Sequence, residues 1–252
     1  MTVAPFPQFE DEVVENALLG GRVRLRQPAK GYRAGMDAAL LAAAVVPEPG
    51  QRVIEAGCGA GGVLMQIAAR RPDAALTGLE RDPAMAALAW ENAALNGADA
   101  RIVEGDVAAG FRALDLPPFD WAVSNPPFFD DPGALRAPAE GKRGAWMADD
   151  GLKAWTTFLL KSVREGGRIV IIHRADRLAD LLALLGETAG SFAVRGVHPH
   201  ADEPAKRVLV QAIKTGKAPL RLLPPLVLHD RSGAKHTEEA EAVLRGEAGL
   251  GW

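Results

Sequence analysis

Within Ser124-Asn125-Pro126-Pro127-Phe128-Phe129, an amide, two prolines and two aromatic rings fall in consecutive positions. The segment follows the largely apolar Phe119–Val123, which reads as a buried strand. Neither proline has an N–H to continue a ladder, and each fixes its own φ, so the strand stops there. Asn125 is thereby left at the strand's carboxyl edge, where open α/β sheets place their ligands. A carboxamide oxygen and a rigid backbone carbonyl can accept the two N–H groups of an amine, while Phe128 and Phe129 stack on a flat ring. Asn125, Pro126, Pro127 and Phe128 are the candidate catalytic group, with Phe129 as a further substrate contact.

A second cluster lies upstream. Glu55-Ala56-Gly57-Cys58-Gly59-Ala60-Gly61-Gly62 joins a strand to a helix, and its glycines let backbone pass close beneath a ligand at a helix N-terminus. Gly57, Gly59 and Gly62 satisfy the G-x-G-x-x-G of dinucleotide folds. Gly57, Gly59 and Gly61 satisfy the E/D-x-G-x-G-x-G loop of methyltransferases. The surrounding acids favour the second. A carboxylate at Glu55 is badly placed beside a pyrophosphate and well placed beside the cationic amino acid end of S-adenosylmethionine. Glu80 ends the next strand and can accept two ribose hydroxyls, which suits either cofactor. Asp106 follows the third strand and can accept from an adenine amino group. Asp37 either caps the helix that follows it or faces the same ligand. Cys58, with no histidine near it in sequence, reads as a small buried member of the loop rather than a nucleophile. No metal is expected, since His198-Pro199-His200 lacks companion cysteines or a helical H-x-x-x-H.

The elements that must hold these residues alternate regularly. Strands are expected at Arg52–Glu55, Ala75–Glu80, Ala100–Glu104, Phe119–Ser124 and Arg168–His173, with helices at Gly62–Arg70, Pro83–Asn96, Leu152–Val163 and Leu178–Gly186. Such alternation implies a mostly parallel sheet wound on both faces. Phe192–His198 and Arg207–Lys214 have no helix pattern between them and read as an antiparallel hairpin at the sheet edge. Before all of this, Gly20-Gly21 turns a hairpin whose second strand puts Arg22, Arg24 and Arg26 on one face and Val23 and Leu25 on the other. The helix Ala38–Val46 then stops before Pro47. Residues 1–49 are taken as an N-terminal hairpin and helix extension, and 50–252 as the catalytic domain. A last helix, Glu238–Leu244, is capped by Thr237, and Gly246–Trp252 is expected to be loose.

The chain resembles the class I S-adenosylmethionine-dependent methyltransferases through the Gly57–Gly61 loop, Glu80, Asp106 and Asn125-Pro126-Pro127-Phe128. The resemblance implies a Rossmann-like α/β fold, a seven-stranded sheet with its last strand antiparallel, S-adenosylmethionine as cofactor, and methylation of an exocyclic or amide nitrogen. More narrowly, Gln27-Pro28-Ala29-Lys30-Gly31-Tyr32-Arg33 with Met36–Ala42, and Pro224–His229 through Thr237–Glu241, are similar to the bacterial tRNA1(Val) adenine-N6-methyltransferase group. That implies an RNA substrate. The basic residues that could meet it are Arg22, Arg24, Arg26, Lys30 and Arg33 near the start, Lys142 and Arg143 after the tetrapeptide, and Lys206 and Arg207. The net charge of −3 allows only local basic patches for such a partner. The single cysteine excludes an internal disulfide. With no signal-like start and no membrane-length apolar run, a cytoplasmic protein without a membrane partner is expected.

Overall fold

In the computed structural model, which describes residues 12–30, 33–127, 148–231 and 233–252, the chain opens with an antiparallel hairpin, β1 (Val13–Leu18) and β2 (Val23–Pro28). Helix α1 (Met36–Ala44) follows. The alternating part comprises β3 (Arg52–Ala56), α2 (Gly62–Arg70), β4 (Ala75–Glu80), α3 (Pro83–Leu95), β5 (Ala100–Glu104), β6 (Phe119–Ser124), α4 (Ala148–Ser162), β7 (Val163–Arg174), α5 (Leu178–Leu185), β8 (Ala189–His198) and β9 (Arg207–Lys214). Two short strands, β10 (Arg221–Leu222) and β11 (Leu226–Val227), precede helix α6 (Glu238–Arg245).

Strand order is β10-β8-β9-β7-β6-β3-β4-β5, with β11 also on β8. The expected seven strands, β3 to β9, are all present, and β9 runs antiparallel between β7 and β8. The two additional strands, two residues each, lie parallel along β8. Local chemistry explains several of the boundaries. Asp82 caps α3 by accepting from Ala84 and Met85 N–H, and Pro83 fills the first helical position. Gly97, at φ +60°, ends that helix with Ala98 N–H returning to Ala93 O.

Side chains alternate across the sheet. Val53, Val123, Val170 and Ile172 face a core shared with α1, α2 and α3, whereas Ile54, Ala122, Ile169 and Ile171 face α4 and α5. The first core also takes in Leu19 and Val23 of the hairpin region and Leu40 and Leu41 of α1.

The hairpin is fastened by Asn92 of α3 and by Asn96, the C-cap residue that follows it. Asn96 accepts from Arg24 N–H (2.9 Å) and donates to Arg24 O (2.7 Å), while Asn92 accepts from Arg26 N–H (2.8 Å) and donates to Arg26 O (2.7 Å). Residues four apart on a helix are separated by about 6 Å, and residues two apart on a strand by about 6.6 Å. Two side-chain amides therefore act as a partner strand along the edge of β2. Asn92, fully buried, also donates to Ala60 O (2.9 Å) in the glycine loop.

The expectation of a loose tail is wrong. Leu250 is buried and donates its N–H to Ala43 O (2.9 Å), and Trp252 Nε1 donates to Ala44 O (2.6 Å). These are last-turn carbonyls of α1, which the helix itself leaves unpaired. Arg70 donates to Val243 O (2.6 Å) and Ala248 O (2.8 Å), and Arg22 donates to Arg245 O (3.2 Å) and Gly246 O (2.8 Å).

Replacing Asn92 by Ala strips two backbone groups of β2 and one of the glycine loop, and is expected to lower unfolding free energy by about 1–3 kcal/mol. Asn96→Ala, at a more exposed site, should cost roughly 1 kcal/mol or less. Urea titration of both variants checks the order.

Candidate functional site

β3 and β6 are neighbours, and the strands on either side run away from them in opposite sequence order, so their carboxyl ends form the switch point of the sheet. The glycine loop leaves β3 there, and Asn125 leaves β6. Gly57, at φ +70°, turns the chain so that its own N–H and that of Cys58 both donate to Leu79 O at 2.8 and 2.9 Å. Gly62 has no room for a side chain, because a Cβ would lie 2.4 Å from Ala34 Cβ. Its role is to bring the segment before α1 against the start of α2, while Gly61, at φ +82°, is the left-handed residue ahead of that helix.

Gln27, Ala34, Glu55, Gly57, Gly59 and Asn125 are among the residues around a hollow of about 30 Å³. Glu55 is 2 % exposed, and its Oε2 has no hydrogen-bond partner. Burial pushes its carboxyl well above the usual range; the Leu64 amide opposes this and the Glu80 charge adds to it. A buried carboxylate oxygen lacking a donor fits the ammonium of an amino acid, so the residues present suit S-adenosylmethionine at this end.

The other acids are engaged with the backbone. Glu80, half-buried, accepts from Gly59 N–H through Oε2 and from Arg81 and Asp82 N–H through Oε1, each at 2.9 Å. About four acceptor sites exist on a carboxylate, which leaves roughly one for a ribose hydroxyl. Asp106 caps the 3-10 turn Val107–Ala109 by accepting from Ala108 N–H (2.9 Å). Asp37 does not cap α1, whose N-cap position Gly35 holds; it pairs with Arg207 Nε of β9 at 2.9 Å. Cys58 is buried, and desolvation followed by the Glu55 and Glu80 charges raises its thiol far above the range of a nucleophile.

Two residues near the site were not singled out from sequence. Gln27 is 2 % exposed, accepts from Ala34 N–H (2.9 Å) and donates to Asn16 Oδ1 (2.8 Å). The signal was there, since Gln27 continues the buried face of Val23 and Leu25, where an apolar residue is expected. Trp155 of α4 donates from Nε1 to Ser124 Oγ at 2.6 Å. Of the basic candidates, Lys30 is exposed, and Arg33 donates to Asn16 Oδ1 (2.8 Å). Arg24 and Arg26 both reach Glu15. Phe128, Phe129, Lys142 and Arg143 lie outside the described residues. No group of three or more metal-binding side chains occurs among the described residues, and no described helix is long and apolar enough to cross a membrane.

Glu55 also yields a test with a definite sign. Its folded-state pKa lies above the unfolded value near 4.5. Its contribution to stability is therefore present below that value and lost as pH rises through the folded one. Cofactor-free Glu55→Gln is expected to melt above wild type at neutral pH, by about 2–4 °C for each kcal/mol removed, and to lose that advantage in acid. Saturating S-adenosylmethionine should raise the wild-type midpoint and leave that of the variant in place, as read by calorimetry.

Comparison with known proteins agrees with this geometry. Residues 33–137 match the family model described as methyltransferase small domain. The release factor glutamine methyltransferase of Deinococcus radiodurans is 40% identical over 147 residues, covering 55% of this chain and 51% of its own length. The tRNA1(Val) (adenine(37)-N6)-methyltransferase of Porphyromonas gingivalis is 31% identical over 169 residues, covering 64% of this chain and 66% of its own. The chain thus spans about half the length of the first of these relatives and about two thirds of the second. A solved structure from Agrobacterium tumefaciens, described as a predicted O-methyltransferase, superposes with a TM-score of 0.70 at 27% identity, over 86% of this chain and 99% of that one. Residues 33–137 of the chain thus match the methyltransferase small domain family, and the sheet that carries this region has the fold of the class I S-adenosylmethionine-dependent methyltransferases.

Proposed function

We propose that this protein transfers a methyl group from S-adenosylmethionine to an exocyclic amino nitrogen, N6 of an anticodon-adjacent adenine in tRNA. The observation that carries the reading is the shared hollow: the buried Glu55 carboxyl, one oxygen of which lacks a donor, and Asn125 line the same small space at the ends of two neighbouring strands. An acid for the cofactor's ammonium and an amide for an acceptor N–H are then held on one rigid sheet.

S-adenosylmethionine supplies an electrophilic methyl on a sulfonium. When bound, its ammonium would be held by Glu55, its amino acid end by the Gly57–Gly61 backbone, a ribose hydroxyl by Glu80 and its adenine amino group by Asp106. An arylamine is a weak nucleophile because its lone pair is delocalised into the ring. The Asn125 carboxamide oxygen and the Pro126 carbonyl accept its two N–H groups and favour a pyramidal nitrogen with its lone pair free. Phe128, outside the described residues, is the stacking partner in this reading, worth about 1–3 kcal/mol. Catalysis is mainly positioning and hydrogen bonding. Lys30 and Arg33, with Lys142 and Arg143, are the proposed RNA contacts.

Adenine is ranked first because the tRNA-modifying relative matches more of this chain than the release factor enzyme does, 64% against 55%. The higher identity of the latter, 40% against 31%, supports a second reading: the same amide and carbonyl would grip the side-chain amide of a protein glutamine. Guanine N2 in RNA is a third acceptor with the same N–H geometry.

Incubation with methyl-labelled S-adenosylmethionine and either unfractionated tRNA or total protein separates these acceptors. Label in tRNA, recovered as N6-methyladenosine, is expected. Label confined to protein would reject the RNA reading. Asn125→Ala is expected to bind S-adenosylmethionine with wild-type affinity and to lose turnover by about 10²-fold or more; normal turnover would remove Asn125 from the reaction.

A further inference from the structure

β3 and β6 are paired only as far as Glu55 opposite Val123. Beyond that point no β3–β6 ladder pair holds Ala56 beside Ser124, yet here the cofactor loop and the Asn125 rim begin. A side-chain chain of hydrogen bonds takes over. Ser124, completely buried, donates from Oγ to Ala56 O at 2.8 Å, and Oγ in turn accepts from Trp155 Nε1 at 2.6 Å. Bonds linked in this way polarise and strengthen one another away from water.

The indole has a second contact. A Cβ built on Gly57 would lie 2.8 Å from Trp155 Cζ2 and 3.3 Å from Cη2, so the six-membered ring lies directly against the Gly57 backbone. One side chain therefore touches the first residue of the cofactor loop through its ring and the residue before Asn125 through its nitrogen. Packing alone does not require an indole here. Leu152, Phe158 and Leu159 already anchor α4 in the core on that face. What an indole adds to a plain aromatic ring is the outer ring that reaches Gly57 and the N–H aimed at Ser124.

We infer that Trp155, acting through Ser124, is a positioning residue that sets the amine-binding rim at Asn125 in register with the cofactor loop at Gly57. The inference rests on the proposed role of Asn125. Neither Trp155 nor Ser124 need touch the reacting atoms. Their effect is on the distance and angle between acceptor nitrogen and methyl, to which such a displacement is steeply sensitive. The consequence falls on the rate of transfer and not on cofactor affinity.

The test is a double-mutant cycle of Trp155→Phe, Ser124→Ala and the double variant. Phenylalanine keeps an aromatic ring on α4 but loses both the N–H and the outer indole ring that meets Gly57, whereas Ser124→Ala leaves the indole in place and removes only its hydrogen-bond partner. Single-turnover methyl transfer is measured at saturating S-adenosylmethionine, to unfractionated tRNA or to total protein, whichever wild type labels. Calorimetric S-adenosylmethionine affinity and thermal midpoints are measured on the same preparations. Each single variant is expected to slow transfer about tenfold, with affinity changed less than about twofold, and the double variant to be no slower than the worse single. An unaltered rate in Trp155→Phe overturns the inference. So do losses that multiply in the double variant, or affinity that falls in step with rate. Asn125→Ala run alongside keeps the two ideas apart. Normal turnover there removes the rim reading itself, whereas an inactive Asn125→Ala beside a fully active Trp155→Phe removes only the coupling.

Discussion

Parallel strands whose following helices pack on opposite faces cannot stay zipped to their ends. After β3 the chain turns to α2, whose Val63, Leu64 and Ile67 join one core; α4 contributes Leu152, Phe158 and Leu159 to the other. The ladder between β3 and β6 accordingly stops at Glu55 and Val123. Everything of chemical interest occupies that divergence. Glu55 is the last paired residue on one side, the glycine loop lies over the end of β4, and Asn125 follows two positions beyond Val123 on the other. The opening is a consequence of topology, and the side chains around it determine what it can hold.

The acids around that opening are held very differently. Glu80 and Asp106 have oxygens bound to backbone N–H groups, so they shape the loops whether or not a ligand is present. Glu55 has a buried oxygen without a donor and is held away from its charged form by desolvation. A bound ammonium would supply a countercharge and favour that form. Fold and ligand therefore make opposite demands on one carboxyl group, as binding sites often do.

Much of this was legible along the chain because it depends on local chemistry. The strands Ala75–Glu80, Ala100–Glu104 and Arg207–Lys214 and the helix Gly62–Arg70 are where their patterns place them. The glycine loop and Asn125 reach one rim because β/α alternation dictates it. The misreadings share a cause, which is that their partners are distant in sequence. Asp37 was weighed as a cap, yet Gly35 holds that position and the partner of Asp37, Arg207, lies 170 positions away. Arg22 and Arg24 read as members of a basic strand face, yet one serves α6 and the other Glu15. Gly246–Trp252 has no periodicity of its own, and its order comes from the carbonyls of α1. Trp155 was not singled out within the helix expected at Leu152–Val163, because nothing beside it in sequence reveals Ser124.

The bonds that order those last residues bear on how the molecule can be assembled. Trp252 reaches Ala44 across 208 positions, and Arg22 reaches Arg245 across 223. During synthesis the hairpin and α1 emerge long before the segment that completes them. Until it arrives, the final carbonyls of α1 must be met by water, and the guanidinium of Arg22 has no helix end to grip. Contacts of such long sequence separation slow folding, since the entropy of closing the loop is lost before the contact can repay it. The earliest part of the chain is thus among the last to acquire its final set of partners.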